Sequence, residues 1–393
     1  MKRLQRVFIL SAIRSPIAPK GGAMRSLRLD ALGAQAVAAL LTRCGIEAGD
    51  VNGVLLGNAM GAGGNVARLI GLAAGMPEIT PAQTIDTQCC SGLDAIALCA
   101  HRIAGAGGPE AWIAGGVEST SNAPLRARRN ENGSPEFYEE AQFSPWPARN
   151  PSMLEAARAL EASMGVSRHS HYGYAVASHG LSMRALHLDR VPISIDGVAF
   201  DIDPHTRALS PELCKRAERP SQANPALVSP LADGAAVAIV VNESFLAARG
   251  IAVDGRVEIV SSQQVGAPPE QPGLAIDGLM PWLIAALQAE ASARDGEPVH
   301  IELMESFTAQ AIANRSAIQE VFQGPLQSAR LVINPIGGLL ALGHPIGASG
   351  AVLVARLVNQ LGPGQLGLAL IASAGGLASG LLLRRANNAS SIR

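Results

Sequence analysis

The chain repeats itself, and the repeat limits the folds open to it. In the first half, Cys90-Ser91-Gly92 leads into an apolar helical run, then Gly107-Gly108, a β-type run and Gly115-Gly116. In the second half, Ala348-Ser349-Gly350 leads into an apolar helical run, then Gly362-Pro363-Gly364, a β-type run and Gly375-Gly376. Two copies of one β/α unit predict an α/β protein whose halves are related by a pseudo-twofold axis. Ser261 to Gly273, rich in Gly and Pro, is the expected connector. The expected division is residues 1–270 and 271–393, with a loop domain over about 120–245. Such an axis brings equivalent helix starts together, so residues lodged at one face residues lodged at the other.

Those residues are a cysteine and a histidine. A short run from Ala82 to Asp86 reads as a strand, and Leu93, Ile96, Ala97, Ala100 and Ile103 fall at helical spacing. Cys89 therefore sits at a helix start, where unpaired N–H groups and the positive end of the dipole bias a thiol toward thiolate. A lone cysteine is more often a buried packing residue. The matching loop in the second half carries His344, and the convergence of the two favours a nucleophile–base pair.

Composition narrows the classes. The 393 residues are 48% hydrophobic and 16% charged with a formal net charge of −1, which suits a deeply buried globular protein and gives no footprint for nucleic acid. Five cysteines without C-x-x-C spacing suggest a reducing, cytoplasmic setting and no zinc site. His169 and His171 form H-x-H without an evident third ligand, so no metal is expected. Val7 to Ile13, after Met1-Lys2-Arg3, is strand-length, and no apolar segment is long enough to span a membrane. The scarce aromatics cluster between Phe137 and Tyr174 beside a Pro-rich stretch, as in a loop domain over a ligand. The Gly57–Gly64 stretch lacks the spacing of a dinucleotide-binding turn.

These motifs resemble the thiolase family of acyl-CoA acyltransferases over nearly the whole chain. Gln88-Cys89-Cys90-Ser91-Gly92-Leu93 is similar to the family's Q-C-[SA]-S-G-[LM]. Gly115-Gly116-Val117-Glu118-Ser119 with Ser121-Asn122-Ala123-Pro124 is similar to G-G-M-E-S-M-S-N-A-P, and Gly343-His344-Pro345 with its flanks matches the G-H-P block. The resemblance implies a five-layer αβαβα fold and a homodimer or homotetramer. It implies an acyl-CoA substrate, with coenzyme A as substrate rather than tightly bound cofactor. It also implies that Cys89 carries the acyl group and His344 takes its proton. Backbone N–H groups at Cys89 and near Ala374 would form an oxyanion hole, Ser229 would contact the pantetheine arm, and Met153 would line the acyl pocket.

Two motifs depart from the family. Its C-x-G-G reads Ala372-Ser373-Ala374-Gly375-Gly376, so the acid/base thiol becomes a methyl group. Its N-E-A-F reads Met304-Glu305-Ser306-Phe307, so the asparagine that holds an enolate-stabilising water becomes a thioether. Glu305 and Ser306 are the remaining polar candidates there. The losses fall on C–C bond chemistry and spare acyl transfer. The leading expectation is acetyl-CoA acetyltransferase-like chemistry. A non-condensing acyl-CoA transferase or hydrolase, and a weakened CoA-binding subunit, are the alternatives.

Overall fold

The computed structural model describes residues 4–61, 64–219, 223–290, 293 and 296–387. Met1 to Arg3, and Ala62 and Gly63 of the glycine-rich stretch, lie outside them. Ten strands form one hydrogen-bonded path. We number them β1 (Val7–Arg14), β2 (Gly53–Gly57), β3 (Ala82–Ile85), β4 (Ala111–Glu118), β5 (Ala232–Asn242), β6 (Val257–Gly266), β7 (Pro298–Leu303), β8 (Arg330–Ile333), β9 (Leu366–Ser373) and β10 (Leu377–Arg385). Their spatial order is β8-β7-β9-β10-β6-β1-β5-β4-β2-β3, with the two-residue Ala18–Pro19 pairing onto β5.

The order is a palindrome of roles. Outward from the central β6–β1 seam, each side runs antiparallel, antiparallel, parallel, parallel. The repeat read from the glycine pattern is thus a repeat of five-stranded units. The strand pairing also moves the seam. Ser261 to Gly266, expected in a connector, pair with β10, so the second unit begins with β6 and the connection lies between Asn242 and Val257. Pro and Gly after residue 266 mark a turn inside the second unit. Likewise β5 belongs to the first sheet, which confines the loop domain to the excursion between Glu118 and Ala232.

Helices fill three layers. We number them α1 (Leu29–Cys44), α2 (Val66–Ala73), α3 (Ser91–Ala104), α4 (Met153–Met164), α5 (Arg168–Arg184), α6 (Met280–Ala289), α7 (Thr308–Gln323) and α8 (Ser349–Gln360). α1 and α2 close one core with Phe8, Ile13, Leu56 and Ile239. α6 and α7 close another with Ile301, Leu368 and Leu382. α3 and α8 lie between, in a core shared by both units. This is the αβαβα arrangement. Because α3 and α8 are covered on two sides, most of their residues are buried, and small Ala residues recur.

The excursion carries α4, α5 and two short ribbons, Arg126–Arg129 with Pro135–Tyr138 and Ile193–Ile195 with Val198–Phe200. Its anchor is buried Arg14 at the end of β1, which donates to Asp189 at 2.6 Å and to both oxygens of Asp203 at 2.9 Å. Arg14's charge holds both carboxyls below the usual range, against a burial that alone would raise them. A cation with two carboxylates around it is a pairing a buried guanidinium requires.

Candidate active site

Two glycines decide how closely the repeats approach. A Cβ on Gly92 would stand 2.8 Å from the Gly347 carbonyl oxygen, and one on Gly350 would stand 2.6 Å from the Leu93 Cβ. With hydrogen in those places, the first turns of α3 and α8 touch backbone to backbone. The residues just before them then meet: Cys89 Sγ lies 3.1 Å from His344 Nε2.

Each partner is held by its own turn. Gln88, in the short 3-10 turn before α3, has φ 55°, a left-handed backbone that costs a non-glycine residue about 1–3 kcal/mol. Hydrogen bonds at its base offset that strain. Gln88 N–H donates to Asp86 at 2.8 Å, Thr87 N–H to the Ser91 hydroxyl at 2.9 Å, and that hydroxyl to the Gln88 carbonyl at 2.6 Å. His344 is clamped through its backbone: its N–H donates to the Pro230 carbonyl at 2.8 Å, and its carbonyl accepts from Ala232 at 3.1 Å. Its Nδ1 lies 2.6 Å from the hydroxyl of buried Ser349, the first residue of α8. With the proton on Nδ1 and Ser349 accepting, Nε2 presents a lone pair to the thiol.

Burial sets the resting charge. It pushes the Cys89 thiol up to about 12, even though the Ala374 and Cys89 N–H groups point at the sulfur and favour the thiolate. It lowers His344 to about 4. The pair rests neutral, contrary to the thiolate bias expected from the helix start: desolvation in the central layer outweighs the dipole. The two N–H groups that reach the sulfur are those expected to form the oxyanion hole.

The remaining expected residues divide in two. Met153, Ser306, Ala372 and Ser373 line one narrow cleft with Phe307 and Leu160, of cavity volume about 20 Å³. Ser306 makes no side-chain hydrogen bond among the described residues, while Ser373 donates to the Thr87 carbonyl at 3.2 Å. Glu305, Ser229 and Met304 serve the frame. Glu305 accepts from Tyr174 Oη, Ser178 Oγ and Asn334 Nδ2, each at 2.8 Å, and from the Leu340 N–H at 3.2 Å, which fixes the loop leading to His344. Ser229 is 5% exposed and donates to the Leu339 carbonyl at 2.6 Å, which ties it to the same loop. Met304 is buried in the central core. Cys90 points away, toward the Ile371 carbonyl.

Sequence reasoning gave no role to Ser349 or Glu118. Buried Glu118 accepts from the N–H groups of Ala59, Met60 and Gly347 and from Asn58 Nδ2, and so ties the His344 loop to the turn after β2. Burial pushes it up to about 7. Both residues stand inside quoted motifs, and that placement was the available signal. His171 is buried against Thr308, and no group of three metal-ligating side chains occurs among the described residues. No helix there is long and apolar enough to cross a membrane.

Comparisons with known proteins agree with this geometry. Residues 7–244 match the model of the thiolase N-terminal domain and residues 255–385 that of the thiolase C-terminal domain. A putative acetyl-CoA C-acetyltransferase VraB of Staphylococcus haemolyticus is 32% identical, covering 97% of this chain and 99% of that protein. Its namesake in Staphylococcus epidermidis is 34% identical over 77% and 79%. The crystal structure of the Bacillus anthracis acetyl-CoA acetyltransferase superposes with a TM-score of 0.82 at 26% identity, covering 98% of this chain and all of that one. The two five-stranded units, the paired helix starts and these matches over both halves make the chain a member of the thiolase family.

Proposed function

We propose that the protein is an acyltransferase of the acetyl-CoA C-acetyltransferase type that carries its acyl group on Cys89. The 3.1 Å contact between Cys89 Sγ and His344 Nε2 carries the reading. His344 Nε2 takes the thiol proton as sulfur attacks the thioester carbonyl. The tetrahedral oxyanion is met by the Cys89 and Ala374 N–H groups. The C–S bond to CoA breaks, His344 returns its proton to the departing thiolate, and a thioester remains on Cys89. A neutral resting pair suits this sequence, since charge appears only where the substrate brings it.

The second half-reaction hands the acyl group to CoA, or to the α-carbon of acetyl-CoA. The carbon route needs a proton acceptor beside Ala372, and the methyl group there is none. Ser306, facing the same cleft, is the side chain we assign to pass that proton on to water, at reduced rate, since a neutral hydroxyl cannot keep it. The five cysteines are free, which supports a reducing, cytoplasmic setting. Strand β3 at the sheet edge supports assembly through that edge into a homo-oligomer.

Intact-protein mass after incubation with acetyl-CoA tests the reading. A gain of one acetyl group, lost in Cys89→Ala, is expected. No adduct from acetyl-CoA or acetoacetyl-CoA would remove Cys89 as the carrier.

A further inference from the structure

At the far end of α8 from Ser349, the seam between the two units opens into a second cleft. β1 and β6 pair only at Phe8 with Glu258 and Ile9 with Val257, and β1 carries a bulge between Ile9 and Ser11. Beyond it the strands part, leaving a cavity of about 430 Å³ lined by Ser11, Arg43, Cys44, Arg256, Asn359 and Arg385, among others. That volume lies in the range of small-molecule sites.

Its charge is one-sided. Arg43, Arg256 and Arg385 contribute three guanidinium groups, and no carboxylate stands in the lining. None of the three is in an ion pair among the described residues, although Arg6, Arg14, Arg190, Arg356 and Arg384 all are. Arg43 reaches the Leu188 carbonyl and Asn359, and Arg385 reaches the carbonyls of Gly255 and Val358. Those contacts are structural duties within the chain. Arg256 has no such duty: its side chain donates to nothing among the described residues. The Nε groups of Arg256 and Arg385 are both buried and without acceptors. Burial and then the Arg256 charge lower Arg385. A protein gains nothing by holding like charges together with unspent donors unless an anion completes them.

We propose that this cleft binds a phosphate-bearing small molecule, whose oxygens accept from Arg256 and Arg385 while Arg43 closes the far side. Planar guanidinium forks suit phosphate oxygens. The ligand is independent of the acyl-CoA chemistry proposed above. The last turn of α8 supplies Val358 and Asn359 to the cleft, and its first residue touches His344. Occupancy therefore bears on the same helix that seats the base.

Isothermal titration at fixed ionic strength, with inorganic phosphate, diphosphate and ADP as probes, tests this. One saturable site per chain is expected, weakened at least tenfold in Arg256→Ala. That substitution removes no internal side-chain hydrogen bond and should leave acyl transfer unchanged. In the binding that Arg256→Ala removes, diphosphate equal to ADP identifies a free phosphate and tighter ADP a nucleotide; ADP held at the coenzyme A site persists in that variant. On the wild-type protein, each bound probe should slow alkylation of Cys44, which lines the cleft. Absence of saturable binding by all three overturns the proposal. So does binding that is equal in Arg256→Ala, or that leaves Cys44 unprotected, because the anion then sits elsewhere.

Discussion

The neutral Cys89–His344 pair predicts how the thiol meets an alkylating agent. The thiolate is the reacting form, and an ordinary cysteine with its pKa of about 8.5 is roughly one-quarter ionised at pH 8. Burial pushes Cys89 up to about 12, which leaves on the order of one molecule in 10⁴ ionised at that pH. Iodoacetamide should therefore modify Cys89 roughly 40- to 100-fold more slowly than a free cysteine peptide at pH 8, the smaller thiolate fraction being partly offset by the greater nucleophilicity of a more basic thiolate. The sign is fixed by the upward shift: the rate climbs about tenfold per pH unit from 8 to 10 and does not level off. Peptide mapping by mass spectrometry resolves Cys89 from its neighbours. His344, lowered to about 4, stays neutral over that range and adds no second inflection. A plateau reached below pH 8 would mean that thiolate and imidazolium coexist at rest, and would refute the claim that burial outweighs the helix start.

Three further outcomes follow from single contacts. Ala372→Cys restores an acid/base group beside Ser306 and should raise acetoacetyl-CoA cleavage about 10²-fold or more; an unchanged rate would sink the explanation given for the departure. Ser349→Ala removes the 2.6 Å partner of His344 Nδ1 and should lower kcat about tenfold with KM held, read from the rate of Cys89 acetylation. Unaltered kcat would show that the hydroxyl does not orient the ring. Glu305→Ala strips the acceptor from four donors in a site 2% exposed, and should destabilise the protein by about 3 kcal/mol, a fall in Tm of about 4 °C by calorimetry. A change below 1 °C contradicts its role as the loop's anchor.

The parts of this molecule legible in sequence are those whose signals are local. Helix starts at Ser91 and Ser349 show as Ser-Gly before an apolar run, and the two repeats show as glycine pairs at similar spacing. What escaped depends on neighbours distant in the chain. The seam was placed too late because Pro and Gly report a turn, while membership of a sheet is settled by Val257 to Gly266 pairing with β10. Cys89 was expected to lean toward thiolate because the helix start is visible in sequence, whereas the low-dielectric layer around it is created by both halves together. Glu305 is singled out by its motif, but what it holds shows only when Tyr174, Ser178 and Asn334 arrive from two other parts of the chain. The bond from the Ser229 hydroxyl to the Leu339 carbonyl, too, joins residues 110 positions apart.

The pairing of α3 with α8 also sets a clock on the growing chain. Cys89 and His344 are separated by 255 positions. At about 5–20 residues per second, a ribosome that has finished the first helix start needs roughly 13 to 50 seconds to reach the second. Through that interval the thiol has no base, and α3 has no α8 to cover its outer face. Until the last repeat docks, the paired helix starts that bring Cys89 to His344 are incomplete. In the mechanism proposed above, a nucleophile and a base so divided leave the chain without a complete site while it is half made.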